Sequence, residues 1–351
     1  MKIFYHFLMD PRRGGPHQFI DNFVKYTKGK IINKILINGV NKNIDLSFYR
    51  NKGRFFYIFE IIINLIKIFW FFNKNKSNIN EVINIHGFYN IAPLIYVFIS
   101  RRKFNWFIHE EIKKKYFFIF NILPKKNNIF FLYNPNQLNI RKRNNFFIIK
   151  PSVDTKFWNL KNNKSSNTNF LAVGNLNPLK NHNLLLNSFY KIQKDITLQI
   201  AGEKLSSHQQ YYNSILILKK KIEKNSKSRI SLLGRLSKNK IKKKMSQSNF
   251  FIMSSKSEGT PFALLEAMSC QKICIIPKIN TLNKIFIDNY NGFYFKNNNI
   301  NSLCKVIIKV LNLSKKKKIE IGKRARKLIL KEFSNEVFKK IVNKTLLKNY
   351  E

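Results

Sequence analysis

Carboxylates are what this chain has least of. Asp and Glu number 18 against 65 Lys and Arg in 351 residues, a formal charge of +47. The six aspartates (Asp10, Asp21, Asp45, Asp154, Asp195 and Asp288) include no near neighbours, so no pair of adjacent aspartates is available to hold a divalent cation. Cysteine is also scarce. Cys270, Cys274 and Cys304 make neither a disulfide framework nor a metal-ligand set, and the first two lie in an apolar stretch where they pack as small hydrophobes. A secretory leader is missing too: M-K-I-F-Y-H-F-L-M-D runs into Pro11-Arg12-Arg13 before an apolar core develops, which predicts a protein of the reducing cytoplasm.

Long apolar runs are confined to one, Phe55 to Phe72. Its polar members Glu60, Asn64 and Lys67 are spaced by four and three and so share one helical stripe. At mid-membrane a lysine costs about 2.5–3.5 kcal/mol. The run therefore reads first as a buried crossover helix, second as a helix lying in a membrane interface, and last as a spanning helix.

Excess positive charge suggests nucleic acid or an anionic membrane as partner. Lys, Asn, Ile and Phe are over-used together, however, and all four have A/T-rich codons, so base composition accounts for much of the excess. The basic clusters, Lys113 to Lys115, Arg141 to Arg143, Lys242 to Lys244 and Lys315 to Lys318, are dispersed. They read as solvated faces, with an anionic membrane surface as the alternative, where each nearby cation adds about 1 kcal/mol. Nucleic acid is not expected as a partner.

What is present is a packed, two-domain α/β chain. Hydrophobic residues make up 44% and aromatics 14%, and the length allows two separate cores. K-I-F-Y-H-F-L, I-I-N-K-I-L-I, E-V-I-N-I-H, F-N-W-F-I-H and N-I-F-F-L-Y read as strands with amphipathic segments between several of them, hence βαβ units and a parallel sheet. Lys161 to Asn169 is polar and aperiodic, as a linker would be. A second set follows: N-F-L-A-V-G, I-T-L-Q-I-A-G, R-I-S-L-L-G, N-F-F-I-M and K-I-C-I-I. Gly174, Gly202 and Gly234 end three of these, where glycine permits close backbone approach or an unusual turn. The expectation is two doubly wound domains whose strand ends face a shared cleft.

The most informative stretch is E-G-T-P-F-A-L-L-E, Glu258 to Glu266, in the loop that follows the N-F-F-I-M strand. Thr260 stands at the expected helix N-cap and Pro261 at the first helical position. First-turn N–H groups and the helix dipole favour a phosphate. Glu266, deeper in the helix, suits a vicinal diol such as a ribose, and Glu258 lies before the turn, on the far side of the phosphates. In the first half, Arg13-Gly14-Gly15-Pro16-His17 after strand one is a weaker cradle, and His109 ends its strand at a similar level.

Taken together, residues 169 to 335 resemble the retaining glycosyltransferases of family 4. The resemblance rests on V-G-N-L-N-P-L-K-N-H-N-L-L-L, I-A-G-E, L-L-G-R-L-S, S-S-K-S-E-G-T-P-F-A-L-L-E-A-M and N-Y-N-G-F-Y-F. In the first half only R-G-G-P-H, I-H-G and the region of His109 match. The resemblance implies the GT-B fold: an acceptor domain at 1–155, a linker at 156–168, a nucleotide-sugar domain at 169–332, and a C-terminal helix in 333–351 packing back on the first domain. It implies that Glu266 binds the ribose, that Glu258 faces the donor sugar, and that Gly259, Thr260, Pro261 and Phe262 line the sugar and diphosphate. Lys180 would neutralise the departing diphosphate, with Gly174, Gly202 and Leu236 lining the donor. Gly15 would approach the phosphates from the other domain and His109 would contact the sugar, giving Glu258, His109 and Lys180 as the catalytic set. The family usually has arginine where this chain has Asn175, which leaves Lys180, with Arg235 as a possible substitute. A frequent Gly and Pro become Gln271 and Ile273, and a frequent glutamate falls at Lys284.

The resulting expectation is a cytoplasmic enzyme, peripheral on the inner membrane face, that transfers sugar from a UDP- or GDP-sugar to a cell-surface glycan or lipid-linked acceptor. It would need no metal or other cofactor, and would serve polysaccharide or lipopolysaccharide assembly. The rivals are a nucleotide-sugar epimerase of the same fold and a catalytically weak basic binding module.

Overall fold

The computed structural model describes residues 2–8, 15–37, 54–74, 81–110, 112, 116–123, 127–132, 145–160, 168–279, 282, 285 and 287–347. Arg12 to Gly14, Lys113 to Lys115, Arg141 to Arg143, residues 161–167 of the expected linker, and Lys284 lie outside them. The chain divides into two compact units, Met1–Ser152 with Phe338–Glu351, and Val153–Val337.

In the first unit the order is β1 (Lys2–Leu8), α1 (Gly15–Thr27), β2 (Ile31–Ile37), α2 (Arg54–Lys74), β3 (Glu81–His86), α3 (Ile91–Ile99), β4 (Phe104–Ile108), α4 (Ile119–Ile122), β5 (Asn128–Phe131) and β6 (Phe146–Ile148). The strands form one sheet in the order β2-β1-β3-β4-β5-β6, and every pairing in it is parallel. β4 and β5 are buried throughout, as strands covered on both faces must be. Strand order reverses between β1 and β3, as in flavodoxin-like sheets.

The second unit runs β7 (Asn169–Val173), α5 (His182–Ile192), β8 (Thr197–Ala201), α6 (Gln209–Asn225), β9 (Arg229–Leu232), α7 (Lys238–Ser246), β10 (Phe250–Ile252), α8 (Phe262–Ser269), β11 (Ile273–Lys278), β12 (Phe293–Lys296), α9 (Ile300–Leu311) and α10 (Lys315–Glu332). Its parallel sheet is ordered β12-β11-β10-β7-β8-β9. Counted from β7 this is the 3-2-1-4-5-6 order of dinucleotide-binding folds, reversing between β7 and β10. Phe170 and Phe250 stack across that seam at 4.6 Å. α11 (Asn335–Val342) leaves the second unit and enters the first, where Phe338 meets Phe19 edge-on at 5.5 Å. Before β7, Trp158 is buried in the second unit's core, and Arg326 donates to the carbonyls of Thr155 and Trp158. The unit boundary therefore falls at Ser152/Val153.

Two elements were not anticipated. β6 and β12 are edge strands of three and four residues, too short for alternation to register. The apolar run also departs from expectation. α2 is not a buried crossover helix: Ile66 and Trp70 are each 63% exposed, as is much of Phe59 and Ile62, while Glu60 and Asn64 are only 3% exposed. Glu60 and Asn64 face the protein together with the core residues Ile68, Phe71 and Phe72, and a second apolar stripe of Phe59, Ile62, Ile66 and Trp70 faces outward.

Candidate functional site

The glycines that end β7, β8 and β9 keep the sheet together beyond its last strand residues. Gly174 N–H donates to Ala201 O and Gly202 N–H to Gly234 O, both at 2.9 Å. A Cβ on Gly202 would lie 1.9 Å from Gly174 O, so close approach is the reason for glycine there, whereas at Gly234 it is a φ of +65°. The aliphatic stem of Lys180 runs across Gly174, 3.3 Å from where a Cβ would stand. The loop following β7 thus curls back over its own strand end.

The loop after β10 locks onto it. Lys256 N–H donates to Leu179 O at 2.8 Å, and the single Ser254 Oγ–H is shared between Lys180 O at 2.8 Å and Asn181 O at 3.0 Å. Asn181 carries a φ of +52°, a left-handed turn that asparagine tolerates, and α5 starts immediately after it. This clamp brings Lys180 Nζ to 2.5 Å from Glu258 Oε1, with Ser255 Oγ donating to the same oxygen. Glu258 is 7% exposed, and a carboxylate so buried is held by charge-assisted partners of this kind. Beside the pair, His182 is pushed down to about 3 by burial and by the charge of Lys180. It is a neutral imidazole at the mouth of α5.

The helix carrying Glu266 begins one residue later than the sequence suggests. Pro261 is the cap position, Phe262 opens α8, and no side chain caps its N–H groups. The Thr260 hydroxyl does not cap it; it is buried and makes no hydrogen bond among the described residues. Phe262 N–H instead donates to Thr260 O at 2.9 Å, a tight turn that swings the threonine out of the cap position. Glu266 lies in the second turn, 7% exposed.

Six of the expected donor residues thus form one linked group at the reversal of strand order. Gly174 touches Gly202 and Lys180, Lys180 pairs with Glu258, and Asn175 Oδ1 accepts from Glu203 N–H at 3.2 Å. Arg235 Nη1 reaches Glu203 at 3.6 Å from an exposed position, so it joins through that glutamate. Gly259, Thr260, Pro261, Phe262 and Glu266 follow Glu258 along the chain into α8, and Leu236 is half-buried after β9. Gly15 opens α1 and His109 directly follows β4, both in the first unit. Ser254, Ser255 and His182 carried no signal of their own, because their role depends on the two loops meeting.

Against known protein families, residues 154–328 match the model described as glycosyl transferases group 1. Residues 154–328 form a group 1 glycosyltransferase domain. It is 29% identical over 244 residues to an uncharacterized glycosyltransferase of Methanocaldococcus jannaschii, covering 68% of this chain and 60% of that one. It is 30% identical over 187 residues to the UDP-Gal:alpha-D-GlcNAc-diphosphoundecaprenol alpha-1,3-galactosyltransferase of Escherichia coli, covering 48% and 43%. The chain thus spans less than two thirds of the length of either relative. Among solved structures, Anabaena HepE in complex with UDP-glucose superposes with a TM-score of 0.77 over 99% of this chain and 100% of that one, at 14% identity. At that identity the likeness shows the fold, two Rossmann-like parallel-sheet units of the GT-B type. All of the expected site residues except Gly15 and His109 fall within the family match.

Proposed function

We propose that the protein transfers a sugar, with retention of configuration, from a UDP- or GDP-sugar to a glycan or lipid-linked acceptor. The observation that carries this reading is the Lys180–Glu258 pair at the reversal point of a dinucleotide-type sheet, beside the uncapped first turn of α8. Breaking an anomeric C–O bond builds negative charge on the leaving diphosphate, and fixed donors aimed at that charge lower the barrier. The Lys180 ammonium and the first-turn N–H groups of Ala263 and Leu264 are such donors, the Phe262 N–H being taken up by Thr260 O. In this reading the diphosphate takes Lys180 over from Glu258, which turns to the sugar, while Glu266 binds the ribose.

No metal is required in this scheme, since the cation and the helix terminus supply the positive charge. The relatives support the substrate class: one is a galactosyltransferase named for a UDP-sugar and a diphosphoundecaprenol acceptor, and one structural neighbour binds UDP-glucose. An acceptor of that kind lives at a bilayer. We place the protein on the inner, anionic face of a cell membrane, with the outward stripe of α2 as the contact and Lys74, whose Nζ lies 5.1 Å from the Trp70 ring centroid, beside it. Nucleic acid is not a partner in this reading.

The test is transfer and hydrolysis with a panel of UDP- and GDP-sugars, with and without a chelator, comparing wild type with Glu266→Ala. The variant loses activity on the productive donor, the chelator changes nothing, and no epimerised nucleotide-sugar accumulates. Equal activity of both proteins on every productive donor refutes the assignment.

A further inference from the structure

Four of the six histidines lie in the first unit, and three of them form a buried chain across the reversal point of its sheet. His6 on β1, His86 at the end of β3 and His109 just past β4 point to the face covered by α1. His6 Nδ1 is 3.0 Å from His86 Nε2, and His86 Nδ1 is 3.0 Å from His109 Nε2. His86 stacks on Phe107 at 4.8 Å, and Phe19 and Phe23 of α1 meet His109 and His6 edge-on.

The direction of that chain can be read from its far end. Thr27 Oγ1 donates its single proton to Phe23 O at 2.9 Å, so it accepts from Asn33 Nδ2, also at 2.9 Å. That orients the Asn33 amide and leaves its Oδ1 facing His6 Nε2 at 2.9 Å, which must then carry the hydrogen. A neutral His6 has a bare Nδ1, so His86 donates to it through Nε2–H. The same logic makes His109 donate through Nε2–H to His86. His109 Nδ1 is left bare, buried and without a hydrogen bond among the described residues. Neutrality along the row follows from burial, which pushes His6 down to about 4 and His109 to about 3, helped at His109 by His17 on α1.

A competing polarity exists. Asn128 donates to Asn105 at 3.2 Å and Asn105 to Asn84 at 2.8 Å, a ladder that turns Asn84 Nδ2 toward His6 Nε2 at 3.5 Å. Were that the true hydrogen bond, every ring would reverse and His109 would offer an N–H. The 2.9 Å contact to Asn33 outweighs one at 3.5 Å.

We infer that Thr27, Asn33, His6 and His86 are positioning residues that hold His109 with a bare Nδ1, so that this site accepts a hydrogen bond from a ligand hydroxyl and does not donate to a phosphate. This rests on the proposed sugar transfer and on the expectation, implied by the family resemblance, that His109 contacts the donor sugar; it adds what kind of atom His109 selects and which residues impose the choice.

The deciding experiment is nitrogen NMR of histidine-labelled full-length protein at neutral pH, with no ligand, where ring shifts separate bare from protonated nitrogens. All three rings show Nε2–H and a bare Nδ1; protonated Nδ1 at His109, or an imidazolium, overturns the inference. Asn33→Leu removes the orienting acceptor and yields mixed or reversed rings, and if it does not fold the wild-type spectrum still decides. In parallel, His109→Phe lowers affinity for whichever UDP- or GDP-sugar the wild type binds about tenfold while leaving binding of the parent nucleoside diphosphate unchanged; equal loss for both overturns the hydroxyl assignment. Failure of the wild-type protein to bind any UDP- or GDP-sugar instead counts against the proposed function and leaves the ring polarity standing on its own measurement.

Discussion

Buried neutral histidines make the first unit acid-sensitive, and the size of the effect follows from the structure. His6 and His109 are held down to about 4 and about 3 from 6.5 by burial, with His17 of α1 adding to the effect at His109. His86 is lowered well below 6.5, by burial first and then by the neighbouring His6, His109 and His17. Above pH 6.5 these rings are neutral whether the chain is folded or not, and they contribute no pH dependence. As pH falls below 6.5 the unfolded chain binds protons that the folded unit refuses, so stability declines until the folded values are reached. At pH 5 each ring has passed through 1.5 pH units, which is about 2 kcal/mol at 1.36 kcal/mol per unit. His6 and His109 alone therefore remove about 4 kcal/mol from the first unit, and His86 acts in the same direction. In the second unit His182, pushed down to about 3, removes about 2 kcal/mol. Urea titrations at pH 7 and pH 5, read by hydrogen exchange of the β1, β3 and β4 peptides against those of β7, β8 and β10, measure the difference. His109→Phe recovers about 2 kcal/mol of the loss. Equal stability of the first unit at the two pH values, or an equally steep loss in His109→Phe, refutes the reasoning.

Two further outcomes are open to direct measurement. Gly202→Ala places a methyl group 1.9 Å from Gly174 O, so the strand ends must part; the variant loses at least about 2 kcal/mol of stability in denaturant titration and most of its UDP affinity, and wild-type values in both would show that the ends are not packed this closely. Ile62→Glu with Ile66→Glu puts charge on the outward stripe of α2, replacing side chains whose burial is worth about 1.5–3 kcal/mol each. Sedimentation with anionic liposomes at low salt falls at least tenfold while thermal stability is kept, and unchanged sedimentation removes α2 as the membrane contact.

Much of the fold was legible because its signals are local. Short apolar runs ending in glycine, separated by amphipathic segments, announce parallel strands and crossover helices whatever their partners turn out to be. The same holds for Glu258 to Glu266, where the turn, the proline and the two acids lie in one stretch, although the cap slipped by one residue because Phe262 N–H turned back to Thr260 O. α2 misled because its composition is nearly uniform, and composition does not say which stripe meets the protein. The pairing of Lys180 with Glu258, 78 residues away, needed two loops to be laced together by Ser254 and Lys256. The histidine row needed β1, β3 and β4 to be neighbours in a particular register, with Asn84 opposite both His6 and Asn105. What the chain determines by itself is therefore the set of elements and the loops that carry chemistry, since these follow from neighbours along the backbone. Which side chains meet, which nitrogen is left bare and which face looks outward are decided only by strand order and register, which join residues that have no sequence relation to one another.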